Sequence, residues 1–305
     1  MKKLDPRLVL YIGVLGTGFS ALLVRLSSAP SLTTATLRLF WTMLILTPMT
    51  LLRHRQELKA VKPGDLAACG LSGLFLAFYF STWFESLKWT TVASSSVLAC
   101  TEVIFVALGF ALVLKGRIPR LGVAAIGLSF LGSVVLALHD GGGQGAGADP
   151  LWGDLLAILC AVCVAIYTLI GRVKRGTMST TVYTFFTYLS CLLTLFLLDL
   201  FTGTPVLGWP LKEHLIAIGL AVLCTLMGHS LFSWSLKYLS PAYVSAAKLC
   251  EPVFSTLIAI PMFREVPAPV QLAGAAAILG GVLLYTRAEA QSSDRMEERT
   301  AQDGK

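Results

Sequence analysis

FSTWFESLKW (Phe80–Trp89) and HSLFSWSLKY (His229–Tyr238) are near copies set 149 residues apart. The match continues without a gap. Ala93 falls on Ala242, Glu102 on Glu251, Phe105 on Phe254, Lys115 on Arg264 and Gly132 on Gly281. Apolar composition alone lines up leucines and alanines. It does not twice place a Ser-Leu-Lys-aromatic run at a fixed distance before a lone glutamate. The two halves are read as copies of one unit.

Composition says what kind of unit. The chain of 305 residues is 55% apolar and 13% charged, with mean hydropathy +0.75. Soluble domains carry about a quarter charged residues, so this is the composition of a membrane protein. A spanning helix needs about 20 mostly apolar residues. Ten such runs are present, at roughly 8–27, 33–52, 65–87, 91–114, 120–138, 152–171, 179–201, 211–236, 241–263 and 269–287. The expected fold is an all-α polytopic membrane protein with ten transmembrane helices. The repeat steps by five spans, an odd number, so each helix of the first half runs opposite to its counterpart. Two inverted-topology five-helix repeats are a recurring plan of secondary transporters. The boundaries read as 1–138 for the first repeat, 139–151 for a Gly-rich linker, 152–287 for the second repeat and 288–305 for a polar tail, expected to be disordered.

Lysine and arginine set the orientation. With the N-terminus inside, the cytoplasmic segments hold Lys2, Lys3, Arg7, Arg53, Arg55, Lys59, Lys62, Lys115, Arg117, Arg120, Arg172, Lys174, Arg175, Lys237, Arg287, Arg295, Arg299 and Lys305. The outer ends hold only Arg25, Lys88, Lys212 and Arg264. This asymmetry places both termini in the cytoplasm of a cell inner-membrane protein. It also accounts for the net charge of +7 without a nucleic-acid partner. The first apolar run is longer than a signal-peptide core and is expected to stay as a span. The seven cysteines lie inside apolar runs, with no zinc spacing or disulfide framework; Cys160 and Cys163 read as packing residues. No cofactor or metal is expected.

The runs WGDLLAILCAVCVAIYTLIGR (152–172) and EPVFSTLIAIPMFREVPAPVQLAGAAAILGGVLL (251–284) carry a further signal. With Pro252, Glu265, Gln271, Gly274 and Gly281, they resemble the EamA-type members of the drug/metabolite transporter superfamily. The first half departs from that pattern, with Val103 where Pro252 falls and Gly116 where Glu265 falls. The resemblance implies a secondary transporter with a central cavity, and spans 4 and 9 near its core.

Charges inside the bilayer are the best guide to a site. Each costs about 2.5–3.5 kcal/mol on insertion scales and usually has a partner or a task. Glu102 and Glu251 sit near the middle of spans 4 and 9 and are related by the repeat. Low hydration favours the neutral form of a carboxyl, which is what proton coupling requires. Lys248 lies three residues before Glu251 on the same helical face, so a static Glu251–Lys248 pair is the competing reading. Glu102 has no cation within a turn. Lys248 suits a carboxylate as a point charge, and Arg38 offers a planar fork. Arg38 is near the end of span 2, so its stem could instead snorkel to the interface. Tyr79 and Trp83 share a helical face; with Trp234 and Tyr167 they are aromatic candidates for the cavity wall. Trp89 and Tyr238, at span ends, read as interface anchors. His229, inside span 8, reads as a polar packing residue or a gate. Small residues such as Gly109, Gly127, Gly132, Gly274, Gly280 and Gly281 allow close helix approach. Pro241, Pro252 and Pro261 interrupt or bend span 9.

A secondary active transporter working by alternating access is the first reading, exporting amino acids or related metabolites with protons as coupling ion. A carrier of organic cations or anions is the alternative, since acids beside Trp and Tyr suit a cation through its contact with ring faces. A membrane enzyme is disfavoured by the lack of a P-loop, H-E-x-x-H or G-x-S-x-G motif, and a channel by the lack of a selectivity-filter run. The partners expected are a small-molecule solute and the lipid bilayer, with the chain acting as a monomer or homodimer.

Overall fold

The computed structural model describes residues 5–90, 95, 98–140, 149–251, 253–254, 257–258 and 269–303, and its regular elements are all helical. In chain order they are α1 (Pro6–Gly18), α2 (Ser20–Leu26), α3 (Ser31–Arg53), α4 (Arg55–Lys59), α5 (Pro63–Trp89), α6 (Glu102–Leu112), α7 (Arg120–Asp140), α8 (Pro150–Lys174), α9 (Thr180–Thr202), α10 (Leu211–Gly219), α11 (Ser230–Ser235), α12 (Pro241–Lys248) and α13 (Pro269–Asp303). Leu220–His229, between α10 and α11, is a π-helical stretch.

Local chemistry sets the helix starts. Pro6, Pro63, Pro150 and Pro241 stand at first helical positions, where a missing N–H costs nothing. Asp5, Asp149, Ser179 and Ser240 cap α1, α8, α9 and α12 through their side-chain oxygens. Among the described residues, six stretches are long and apolar enough to cross a bilayer: Pro6–Val24, Ser31–Arg53, Pro63–Ser86, Pro150–Lys174, Thr180–Thr202 and Leu211–Ser235. Leu98–Leu112, Arg120–Val135 and Leu272–Tyr285 are shorter apolar helices at the places of expected spans 4, 5 and 10. Expected span 9 begins as α12 and runs beyond Cys250 into residues mostly outside the described set. Pro252, Pro261, Glu265 and most of the Gly-rich linker also lie outside it. Large apolar side chains such as Leu52, Phe201 and Leu200 stand exposed on the helix surfaces, as lipid-facing groups do.

The helix that starts at Pro269 continues after Arg287 to Asp303. Ala288, Glu289, Ala290, Gln291, Met296, Glu297 and Glu298 are strong helix formers, and they extend a helix already nucleated from Pro269.

The last helices of the two halves, α7 and α13, pack antiparallel. Gly122 meets Tyr285 at one end of the contact, and Gly132 meets Gly274 at the other. The contact is reciprocal. A Cβ on Gly132 would lie 2.7 Å from the carbonyl oxygen of Gly274 and 2.9 Å from Ile278. A Cβ on Gly281 would lie 2.7 Å from the carbonyl oxygen of Ala125, with Ser129 also in contact. Gly274, Ile278 and Gly281 are the repeat equivalents of Ala125, Ser129 and Gly132, and the Ser129 hydroxyl donates to the Ile278 carbonyl 149 residues away. Each helix therefore offers the same patch to the other, the mark of a twofold contact. Gly127 and Gly280, expected to share this role, face open space instead.

Polar ties join the halves beyond opposite ends of α3, a 23-residue helix about 35 Å long. Before α3, Glu213 of α10 accepts from Ser27 Oγ (2.5 Å), Ser28 Oγ (2.7 Å) and Ser28 N (3.1 Å). After α3, Lys174 pairs with Asp65 at 2.7 Å, and Glu57 of α4 accepts from the Ser179 N–H at 2.7 Å. Nearby, Arg172 and the buried Arg175 donate to the carbonyls of Leu236, Leu239 and Ser233, which end the α11 region. Burial of Arg175 pulls its guanidinium below its ordinary pKa.

Candidate functional site

Arg38 lies on the buried face of α3 with Thr34, Ala35 and Thr42 and is 2% exposed. It does not snorkel to the interface. Its Nε donates to Thr225 Oγ1 at 2.6 Å, and its guanidinium sits 4.6 Å over the Phe80 ring. These two contacts hold the stem inward, where a fork of remaining N–H groups faces a cavity. Among the described residues, no carboxylate comes within ion-pair distance of it.

The cavity is narrow and lined by polar and apolar groups alike. α5 contributes Tyr79, Phe80 and Trp83, with the Tyr79 and Trp83 rings stacked 6.5 Å apart. The π-helical stretch contributes Cys224 and His229, α11 contributes Phe232, and the α1–α2 junction contributes Thr17 and Ser20. Lys248, at the end of α12, and Glu251 complete the lining. The space as it stands holds little more than a water molecule.

The central ion pair differs from the expected local one. Lys248 Nζ lies 2.5 Å from Glu102 Oε1, with side chains 13% and 10% exposed. The cation missing from Glu102's own helix thus comes from α12 in the other half. Glu251 remains on the cavity wall as a separate carboxylate. The backbone explains why both acids can face inward. Thr101 N bonds to Leu98 O (3.1 Å), and Cys250 N bonds to Ala247 O (3.0 Å). Thr101 and Cys250 are repeat equivalents. Each helix tightens to an i→i−3 turn one residue before its glutamate, the sort of irregularity found at hinges and sites.

The structure thus brings together five of the expected residues, Arg38, Tyr79, Trp83, Lys248 and Glu251, around one space, with Glu102 joined through Lys248. Tyr167 stands behind the wall. Its hydroxyl bonds to Ser233 at 3.2 Å and its ring abuts His229. Trp234 is elsewhere; it packs on Tyr238, ring centroids 4.6 Å apart. Tyr238, just beyond the end of α11, is exposed. Sequence reading missed Thr17, Ser20, Phe80, Cys224 and Phe232, and undervalued His229. The signal for Thr17 and Ser20 was present, as polar interruptions in an apolar first span.

Apolar helices with charges buried among them are what a multi-pass membrane protein with a polar site requires. The comparisons agree. The EamA-like transporter family matches residues 7–138 and again residues 151–287, and the chain belongs to that family. An uncharacterized transporter of Archaeoglobus fulgidus is 29% identical over 233 residues, covering 74% of this chain and 77% of its own. An uncharacterized transporter of Clostridium kluyveri is 24% identical over 226 residues, covering 73% and 72%. A solved crystal structure, 22% identical, superimposes with a TM-score of 0.78 over 92% of this chain and 96% of its own; at that identity the likeness speaks for the fold.

Proposed function

We propose that the protein is a secondary active transporter of the cytoplasmic membrane that exports amino acids or related small metabolites with protons as the coupling ion. Ten spans form two inverted five-helix repeats with both termini in the cytoplasm, and the repeats rock about a fixed central site. The reciprocal contact of α7 and α13 supports the inverted arrangement, since equivalent antiparallel helices meeting through equivalent residues imply a twofold axis between the halves.

The observation that carries the reading is the charge content of one buried cavity drawn from both halves. Arg38 supplies an unpaired guanidinium and Glu251 a separate carboxylate. A zwitterion offers each its complement. Glu102, held by Lys248, supplies the proton-accepting group: protonating it releases Lys248 to Glu251 or to the solute. The cavity is too small for an amino acid in this conformation, so entry requires the repeats to part. The stacked Tyr79 and Trp83 rings beside Glu251 support a second reading, an organic-cation carrier.

Counterflow in proteoliposomes separates these readings. Labelled L-amino acids should accumulate against an excess of the same unlabelled compound, and a pH gradient should drive net movement. Glu102→Gln should abolish the pH-driven component, measured on the fraction that elutes as folded protein in size exclusion. Transport unchanged by that substitution sinks the coupling idea, and counterflow confined to quaternary ammonium compounds sinks the amino-acid reading.

A further inference from the structure

His229 lines the cavity and carries a buried nitrogen for which the described residues offer no partner. The side chain is 5% exposed and lines the cavity, and its Nδ1 is buried without a hydrogen-bond partner among the described residues. The other such atoms, on Thr187, Asp199, Ser235 and Ser245, do not line that space. Buried polar atoms are almost always paired, so an unpaired one on a residue that lines a cavity points to a ligand.

Packing alone does not call for an imidazole here. The ring stands among Phe80, Phe232, Tyr167 and Tyr79, with centroids 5.6 to 6.2 Å away. The first repeat has Phe80 at the equivalent position and is fully packed with it. The second repeat departs from that solution by carrying a polar ring in an aromatic cage.

The backbone also departs from the first repeat. Helix α5 is regular where its counterpart is π-helical, and the π stretch ends on His229. Thr225 sits one wide turn earlier on the same face. Its hydroxyl accepts from Arg38 Nε and donates to Leu220 O five residues back, while its carbonyl accepts from Ser230 N. One irregular segment therefore positions both Arg38 and His229. Such π insertions recur at functional sites.

We propose that His229 is a solute-contacting residue that hydrogen-bonds the carboxylate of the transported amino acid beside the Arg38 guanidinium. The neutral ring does this with Nδ1 as its N–H donor. The inference rests on the amino-acid reading above.

The test is counterflow with single labelled L-amino acids, followed by kinetics on the best one for wild type, His229→Phe and His229→Asn. Phenylalanine copies the first repeat and keeps the cage filled. Asparagine restores an amide N–H near the place of Nδ1. His229→Phe should raise KM about tenfold, the worth of one hydrogen bond, with maximal rate and thermal stability retained. His229→Asn should recover most of that loss; should the phenylalanine variant not fold, His229→Leu, which also lacks a donor, carries the same expected tenfold rise in KM. A wild-type KM in His229→Phe, or an equal loss of maximal rate in both variants at unchanged KM, overturns the contact while leaving the transporter reading intact. Wild-type protein inert toward every amino acid overturns the amino-acid reading and this assignment with it.

Discussion

Lys248 places its ammonium 2.5 Å from Oε1 of Glu102, an acid 146 residues away in the other half of the chain. Both side chains are nearly buried. Removing one partner of a buried pair leaves an uncompensated charge and costs about 3–5 kcal/mol, whereas removing both is often close to neutral. Lys248→Met should therefore lower the midpoint of thermal unfolding sharply. Adding Glu102→Gln to it should recover most of the loss, because the orphaned charge is gone. Thermal scans of wild type, both single variants and the double variant in one detergent give the coupling. Additive losses would mean that the two groups do not interact in the folded protein.

Gly132 and Gly281 each press against the other's helix with no room for a side chain. At both positions an added Cβ would strike a backbone carbonyl, which cannot swing aside as a flexible side chain can. Overpacking of this kind costs about 1–3 kcal/mol. Gly132→Val and Gly281→Val should each lower thermal stability by a similar amount, since they damage the two ends of one reciprocal contact. Gly127→Val and Gly280→Val, which face open space, should be near neutral. Fluorescence-detected size exclusion after heating ranks all four. Equal tolerance at the four sites would contradict the close approach of α7 and α13.

Most of this fold was legible because its signals are local. Apolar runs gave six long helices and the places of three shorter ones, and Gly132 and Gly281 stood out as sites of close approach, though not as partners in one contact. The site was half legible. Glu102, Glu251, Lys248 and Arg38 stood out as charges in apolar surroundings, but which acid meets Lys248 depends on how α6 and α12 cross, and no spacing within one helix reports that. Arg38 was ambiguous for the same reason: its distance from the helix end permits snorkelling, and only Thr225 and Phe80, far along the chain, draw it inward. The π-helical stretch leaves no pattern in LAVLCTLMGH, so the value of His229 was hidden until the turn was seen.

Glu57 gives a pH dependence outside the membrane spans. Burial alone would raise its pKa, but hydrogen bonds from the Ser179 hydroxyl and N–H, together with His54, outweigh it and hold the carboxyl below the ordinary glutamate value. A depressed folded-state pKa contributes stability above the unfolded pKa and loses it as pH falls through the folded one. Glu57→Gln should therefore be less stable than wild type at neutral pH, and the gap should close on acidification through the range below the ordinary glutamate pKa. Unfolding midpoints at stepwise lower pH read this directly. A gap that stays constant with pH would show that the carboxylate's charge contributes nothing at this cap.

Asp65 and Glu213 make corresponding ties at opposite ends of the bundle. Asp65 stands in the first turn of α5 and holds Lys174 of the second half. Glu213 stands in the first turn of α10 and holds Ser27 and Ser28 of the first half. Their sequence positions differ by 148, one short of the repeat step. Each repeat thus uses an acid in the first turn of a helix to grip the other half, beyond opposite ends of α3. A carrier that alternates must release one grip at a time. The Asp65 pair is partly exposed and worth little to global stability, so breaking it should shift accessibility rather than unfold the protein. Cys224 lines the cavity and reports access. With the other cysteines replaced, Asp65→Asn should raise its labelling by a membrane-impermeant maleimide applied from the Lys174 end. Glu213→Gln should raise labelling from the opposite side. Labelling that rises from the same side in both variants, or in neither, would rule out opposed gates, leaving the two ties as simple struts.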